Sequence, residues 1–284
     1  MIKAGYTEVI KYKIIAECVT PLHIGSSEGD KGMILLHPVS RIPMLLGSSI
    51  AGAFREKASV IDPDHYTDWF GCVKGDQIYG SRITFSDGTF GKNKYQLEMR
   101  TRSKINKDTG TVASCGKDAS GQLFDVEMVS SGAKFTFQIY VNCADEEERA
   151  AGQTLLRELL TRLQNGEILF GGQLSNGFGK ISISKVTEAV YNMALPQREG
   201  NVLGRREWLK EGTAGETDGE VVTLQSAEHG KGRDYKIRCH IDLDHSVLVR
   251  ANYIQVNKLE EATGKQITKE PDTMNLVNGK GEFI

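Results

Sequence analysis

The stretch from Phe135 to Val141 constrains this chain more than any other. Phe135, Phe137, Ile139 and Val141 are apolar at every second position, with Thr136, Gln138 and Tyr140 between them. A period of two lays those four side chains on one face of a β-strand, and such a strand needs a sheet and a covering layer. The cover follows directly. From Glu146 to Leu163 the period becomes helical, with Leu155, Leu156, Leu159, Leu160 and Leu163 as the apolar stripe. The acidic run Asp145 to Glu148 suits the first turn, where negative charge meets the positive end of the helix dipole. A second alternating strand runs from Lys180 to Val186, after the glycine-rich stretch Gly171-Gly172 to Gly179.

The first half repeats this alternation of elements. Tyr12 to Val19 reads as a strand that stops at the turn signal Thr20-Pro21. A polar, Gly-rich segment from Ser26 to Gly32 follows, then an apolar stretch, Met33 to Leu36, which Pro38 and Pro43 keep from becoming helical. Behind Gly47-Ser48-Ser49, residues Ile50, Ala53, Phe54 and Ala58 recur at helical spacing, and Ser48 or Ser49 is the natural N-cap. Ile83 and Phe85 mark a strand that the Asp87-Gly88 dipeptide should close as a hairpin turn. The segment from Glu98 to Gly132 is poor in apolar residues and carries a turn signal at Asp108-Thr109-Gly110, so a long projecting hairpin is expected over about residues 92–131.

Strand, helix, strand, hairpin, strand, helix, strand predicts an α+β fold. Its antiparallel sheet carries both helices on one face, in an RRM-like or ferredoxin-like arrangement. That domain should occupy residues 1–194, with a polar linker over 195–232. The tail, 233–284, resembles the start of a second such unit. Tyr235-Lys236-Ile237 and Ser246-Val247-Leu248-Val249 parallel Tyr12-Lys13-Ile14 and Leu22-His23-Ile24, and Glu270-Pro271-Asp272 parallels Glu28-Gly29-Asp30. These matches are short, and either a truncated repeat or coincidence produces them.

The net charge of −2 excludes a uniformly basic protein, so any nucleic-acid surface has to be local. It is found in the expected hairpin. Lys92, Lys94, Arg100, Arg102, Lys104, Lys107 and Lys117 stand against only Glu98 and Asp108 between residues 92 and 117, a local charge of +5. That run serves equally as a solvated loop or as a phosphate-binding footprint. The five cysteines are scattered and never form a C-x-x-C pair, which argues against both a zinc site and a disulfide framework. No run of about 18 apolar residues suggests a membrane span, and Met1 to Tyr12 has no apolar signal core. A cytoplasmic protein with no membrane partner is the expectation.

Four segments in one order resemble the RAMP superfamily of CRISPR-associated proteins, and within it the repeated backbone subunits of type III effectors. Pro21-Leu22-His23-Ile24-Gly25 is similar to the family's opening strand and turn. Ile42-Pro43 through Gly47-Ser48-Ser49-Ile50-Ala51-Gly52-Ala53-Phe54-Arg55 resembles its strand-to-helix junction. Arg100-Thr101-Arg102 through Thr109-Gly110-Thr111 to Leu123-Phe124 and Glu127 resembles its thumb hairpin. Gly171-Gly172-Gln173-Leu174-Ser175-Asn176-Gly177-Phe178-Gly179-Lys180 matches its glycine-rich loop. Together they span residues 12 to about 186.

The resemblance implies a subunit that binds guide crRNA and single-stranded target RNA beside neighbouring RAMP subunits and other effector subunits. Guide contacts would fall on Gly47, Ser48, Ser49 and Arg55, where a helix N-terminus can also be simply capped. Further contacts would come from Gly172, Ser175, Asn176, Gly177 and Lys180, in a loop that by residues alone could be an ordinary connection. Arg100, Arg102 and Lys104 would hold the duplex from the thumb, with Val112 or Leu123 as an apolar wedge. Slicing members carry an Asp in the loop before the junction. Here Asp30 aligns there, with one residue more before Ile42-Pro43, and Glu28 and Lys31 lie beside it. Asp30 is thus the implied catalytic residue and metal ligand, for Mg²⁺ or Mn²⁺, although by composition alone it is a surface Asp in a polar turn. His23 falls in the alternating pattern of a packed strand and His37, before Pro38, in a turn. The implied activity is RNA-guided endoribonuclease cleavage. The alternative is a non-catalytic crRNA-binding scaffold subunit, and a stand-alone guide-processing ribonuclease is a third, disfavoured by the long basic hairpin.

Overall fold

The computed structural model describes residues 5–25, 32–103, 123–210 and 219–224, and two short strands beyond them. In chain order the elements are β1 (Glu8–Cys18), β2 (Met44–Leu45), α1 (Gly47–Ile61), α2 (Tyr66–Phe70), β3 (Cys72–Lys74), β4 (Gln77–Tyr79), β5 (Ile83–Phe85) and β6 (Gly88–Phe90). They continue as β7 (Leu97–Ser103), β8 (Leu123–Val129), β9 (Lys134–Cys143), α3 (Glu146–Gln164), β10 (Ile181–Asn192), β11 (Val202–Leu203), α4 (Arg205–Lys210) and β12 (Glu220–Val221).

The alternating strand β9 and the first strand β1 form the centre of a mixed α/β domain. β1 pairs antiparallel with β10 on one side and with β9 on the other. β9 carries β5 and β6 on its far edge, and β2 closes on β6. Register places Ile10, Tyr12, Ile14 and Ala16 opposite Val141, Ile139, Phe137 and Phe135, so the two alternating patterns make one apolar face. Against it lie Ile50, Phe54 and Ala58 of α1 and Leu156, Leu159, Leu160 and Leu163 of α3, all buried. Each of these Ile, Leu and Phe side chains contributes roughly 1.5–3 kcal/mol of transfer free energy as an upper bound. α3 is also tied by charge: Arg157 donates to Glu188 of β10 (2.9 Å), and Arg149 donates to Glu8 of β1 (3.1 Å). The Asp145 carboxylate caps α3 by accepting the Glu148 N–H at 2.9 Å. Among the described residues no helix is long and apolar enough to cross a membrane.

Three local expectations need correction. Asp87-Gly88 does not turn a hairpin: β5 and β6, on either side of it, both run along β9 as two halves of one interrupted edge strand. Gly88 fits under Phe135, whose ring would lie 3.1 Å from an added Cβ, while Ser86 keeps the ladder by donating to and accepting from Gln138. Second, α1 begins at Gly47 with Leu46 as its N-cap, so neither Ser48 nor Ser49 caps it. The carboxylate that takes a first-turn N–H comes from Asp87, which accepts from Gly47 at 2.7 Å.

Third, the segment read as a linker from residue 195 supplies β11, α4 and β12, of which β11 and β12 pair with the outer edge of β10. Trp208 of α4 stands edge-on to Tyr191 (5.0 Å) and Tyr140 (6.2 Å), covering one end of the sheet face opposite α1 and α3. Polar composition concealed this because a few scattered apolar residues do the burying, Trp208 and Leu203 against Tyr191, and Val222 and Leu224 against the main core.

β7 and β8 form a two-stranded antiparallel ribbon outside the main sheet, with Arg100 opposite Val126 and Arg102 opposite Phe124. Residues 231–284 form a separate unit in which Leu248–Val249 pairs antiparallel with Met274–Asn275. The repeat segments at 235–237 and 270–272 fall outside the described residues.

Candidate nucleic-acid interface

The opening turn, the ribbon and the glycine-rich loop meet through backbone hydrogen bonds. Leu22 and Val129 of β8 exchange both N–H···O bonds (2.9 and 2.8 Å), and the Gly172 N–H donates to the His23 carbonyl (2.8 Å). His23 itself is buried, with Nδ1 only 2.7 Å from the Glu127 carbonyl oxygen. A carbonyl can only accept, so the proton sits on Nδ1 and the ring is held as a packed, tautomer-fixed strut. That agrees with the alternation seen in the sequence. His37 lies in a turn, its Nδ1 accepting the N–H groups of Val39 and Ser40 (3.3 and 3.2 Å).

Asp30, with the rest of residues 26–31, lies outside the described residues, but both roots of its loop are placed. Gly25 bridges Ile34, the Glu127 N–H donates to the Gly32 carbonyl (2.7 Å), and the Glu127 carboxylate accepts the Ile34 N–H (3.1 Å). A Cβ on Gly32 would meet the Asp125 carbonyl at 1.9 Å, which explains a glycine there. The loop is therefore rooted on β8, beside the glycine-rich loop. The carboxylates at this root are engaged within the fold: Asp125 accepts from Thr101 (2.5 Å) and Glu127 from Ile34. Among the described residues there is no cluster of three metal-ligating side chains.

The glycine-rich loop is shaped more by its own chain than by open space. Gly171 (φ +79°) would place a Cβ 2.3 Å from the His23 carbonyl, and Gly179 (φ +83°) 2.1 Å from that of Phe170. Only Gly177 (φ +79°) faces nothing within 4 Å, and there the left-handed backbone alone asks for glycine. Between them Ser175 and Asn176 stand exposed on a single 3₁₀ turn, and the Asn176 amide donates to Gln173 (2.6 Å), itself in the left-handed region at φ +61°.

Phe178, between the last two glycines, points inward and packs on Val126 and Met128 of β8. Over its ring lie the guanidinium groups of Arg102 (5.0 Å to the centroid) and Arg100 (5.7 Å). The structure thus unites Arg100, Arg102, Gly172, Ser175, Asn176 and Gly177 on neighbouring elements. Nothing in residue type marked Phe178 as the link, although its place between two glycines was a usable signal. Exposed Phe124, opposite Arg102 on the same ribbon face, adds an aromatic surface.

Other expected contacts sit elsewhere. Ser48 and Ser49 are exposed on α1, and seven residues on from Ser48 the Arg55 guanidinium lies over Tyr66 of α2 (5.9 Å). The α1 N-terminus already holds the Asp87 carboxylate, and Gly47 is required by the Phe85 carbonyl, 2.5 Å from where its Cβ would be. The exposed Lys180 has its side-chain stem beside Gly166, just past the end of α3. Lys104 and Val112 fall outside the described residues. Of the thiols, burial pushes Cys18 and Cys143 up to about 12, which makes them poor nucleophiles and poor metal ligands at neutral pH.

The fold and site define a mixed α/β domain whose two-stranded ribbon sets two arginines over the phenylalanine of a glycine-rich loop, and the sequence places it in a family. The RAMP superfamily model matches residues 15–182, more than half of the chain, and the protein belongs to that superfamily. It is similar to the CRISPR system Cms endoribonuclease Csm3 of Enterococcus italicus, 26% identical over 196 residues, which covers 61% of this chain and 90% of that protein. Among solved structures it is similar to a chain in the type III-B Cmr-beta bound to cognate target RNA, with a TM-score of 0.47 and 17% identity. The match covers 64% of this chain and 61% of that one.

Proposed function

We propose that this protein is a backbone subunit of a type III CRISPR effector, gripping guide crRNA and the complementary single-stranded target RNA next to other RAMP and effector subunits in the cytoplasm. The observation that carries the reading is the joining of the two ribbon arginines to the glycine-rich loop. It supports a surface that follows an RNA backbone by charge and main-chain donors, with exposed Phe124 available to stack a base. In this reading the sheet order β10–β1–β9–β5, with α1 and α3 on one face, is an RRM-like core, and the β7–β8 ribbon is the base of a thumb.

Cleavage is the second half of the proposal, and it rests on Asp30. Its carboxylate orients or deprotonates a target 2′-OH, whose oxygen attacks the adjacent phosphorus. The bond to the 5′-oxygen breaks and that oxygen takes up a proton, leaving a 2′,3′-cyclic phosphate and a 5′-OH. With Asp125 accepting from Thr101 and Glu127 from Ile34, a Mg²⁺ or Mn²⁺ ion would have Asp30 as its protein ligand and RNA oxygens and water for the rest, and would supply charge neutralisation at the phosphate. Asp30→Ala is expected to abolish target cleavage in the assembled complex while crRNA and target binding stay at wild-type affinity. Cutting by the variant at the wild-type rate removes Asp30 from the mechanism. The engagement of both root carboxylates favours, as second reading, a scaffold subunit that binds without cutting. Product absent with and without added Mg²⁺, from wild-type complex with bound target, would select it.

A further inference from the structure

Phe178 lies in no substrate-facing position, yet three independent features converge on it. The backbone aims it: Gly177 and Gly179, on either side, are both left-handed, and Gly179 is pinned by the Phe170 carbonyl. Its ring is 4% exposed and belongs, with Val126 and Met128, to a small apolar cluster separate from the main core, whose members come only from the loop and the ribbon. The register of the ribbon puts Glu98, Arg100 and Arg102 on the same face as Met128, Val126 and Phe124, so both arginines reach one ring.

A guanidinium over an aromatic face uses its own flat face for that contact and keeps its in-plane N–H donors free for phosphate oxygens. Arg100 is shared with Glu98 (3.2 Å), whereas Arg102 has no carboxylate partner among the described residues. Without the ring, two long flexible side chains would have to be ordered at the moment of binding.

We infer that Phe178 is a positioning residue which stacks Arg100 and Arg102 in place, making ribbon and glycine-rich loop a single pre-organised RNA-backbone site. This rests on the RNA-binding reading above. The test uses the full chain and a labelled single-stranded RNA of arbitrary sequence, titrated at several salt concentrations. Phe178→Leu keeps the apolar packing and is expected to weaken binding roughly three- to tenfold. It is also expected to flatten the salt dependence, by about 0.7 in slope for each phosphate that the arginines no longer neutralise. Phe178→Trp, which keeps a ring, is expected to restore both. In the Arg100→Ala/Arg102→Ala background, Phe178→Leu is expected to change nothing further, the signature of residues acting through one another.

Ring-current shifts of the Arg100 and Arg102 side-chain resonances in the free protein, present in wild type and absent in Phe178→Leu, give a readout that needs no RNA. Wild-type affinity in a folded Phe178→Leu, failure of Phe178→Trp to restore binding, or an equal weakening in the double-arginine background each overturns the inference alone. No binding of RNA by the wild type overturns the RNA reading and this inference with it, even where the ring-current shifts show the stack itself to be real.

Discussion

Glycines at the loop have different jobs at the residue scale, and they can be separated. Gly177 and Gly179 share a left-handed backbone, but only Gly179 also faces a carbonyl, at 2.1 Å from its notional Cβ. Gly177→Ala should cost about 1 kcal/mol for the backbone alone, and Gly179→Ala roughly 3 kcal/mol or more, because a backbone carbonyl must move. Urea unfolding of the two variants checks the ranking, and equal losses would contradict the close approach. Cys18 carries a second prediction. Burial, with a smaller push from the Glu17 charge, raises its thiol to about 12. An unfolded thiol titrates near 8.5, so above that pH the unfolded chain has shed a proton that the folded chain keeps. Stability therefore falls as pH rises from about 8.5 towards about 12. In Cys18→Ala the stability lost between pH 8 and pH 10 should be smaller than in wild type, whatever the change in absolute stability.

The elements depend on partners distant in sequence. Helix α1 starts where Asp87, forty residues on, accepts the Gly47 N–H. Asp87→Ala is expected to cost about 1 kcal/mol, the usual cost of a missing cap, and Ser48→Ala no more than about 0.5 kcal/mol, as an exposed substitution away from any cap. A larger loss for Ser48→Ala in thermal unfolding would restore the serine to the capping role that sequence suggests. The ribbon likewise is held by what it touches: Leu22 at the base, the Gly32 carbonyl at β8, and Phe178 under its arginines. A two-stranded ribbon is marginal alone, and these anchors make this one a fixed arm at its root.

For the whole molecule, the proposed function separates grip from cut. In that proposal grip is spread over the ribbon and loop, where the geometry is described, and cut would rest on Asp30, whose loop is rooted between them at Gly25 and Gly32. The variants proposed above should therefore dissociate the two properties: Asp30→Ala loses cleavage with binding intact, and Phe178→Leu loses affinity first. The family membership shown by residues 15–182 is consistent with both and distinguishes neither.

Periodicity determined much by itself. The alternation at 135–141 and the leucine stripe of α3 report burial that any fold must satisfy, and both elements formed where the pattern placed them. The local charge of the hairpin and the glycines of the loop were equally legible, because residue type and spacing are local quantities. Tertiary structure decided what depends on neighbours remote in sequence. It placed Asp87 at the start of α1 instead of in a hairpin turn, Trp208 over the sheet from within a polar stretch, and Phe178 beneath Arg100 and Arg102. A cap, a cover and a stack are each pairwise contacts, and one sequence read along its length carries the members of such pairs without saying that they meet.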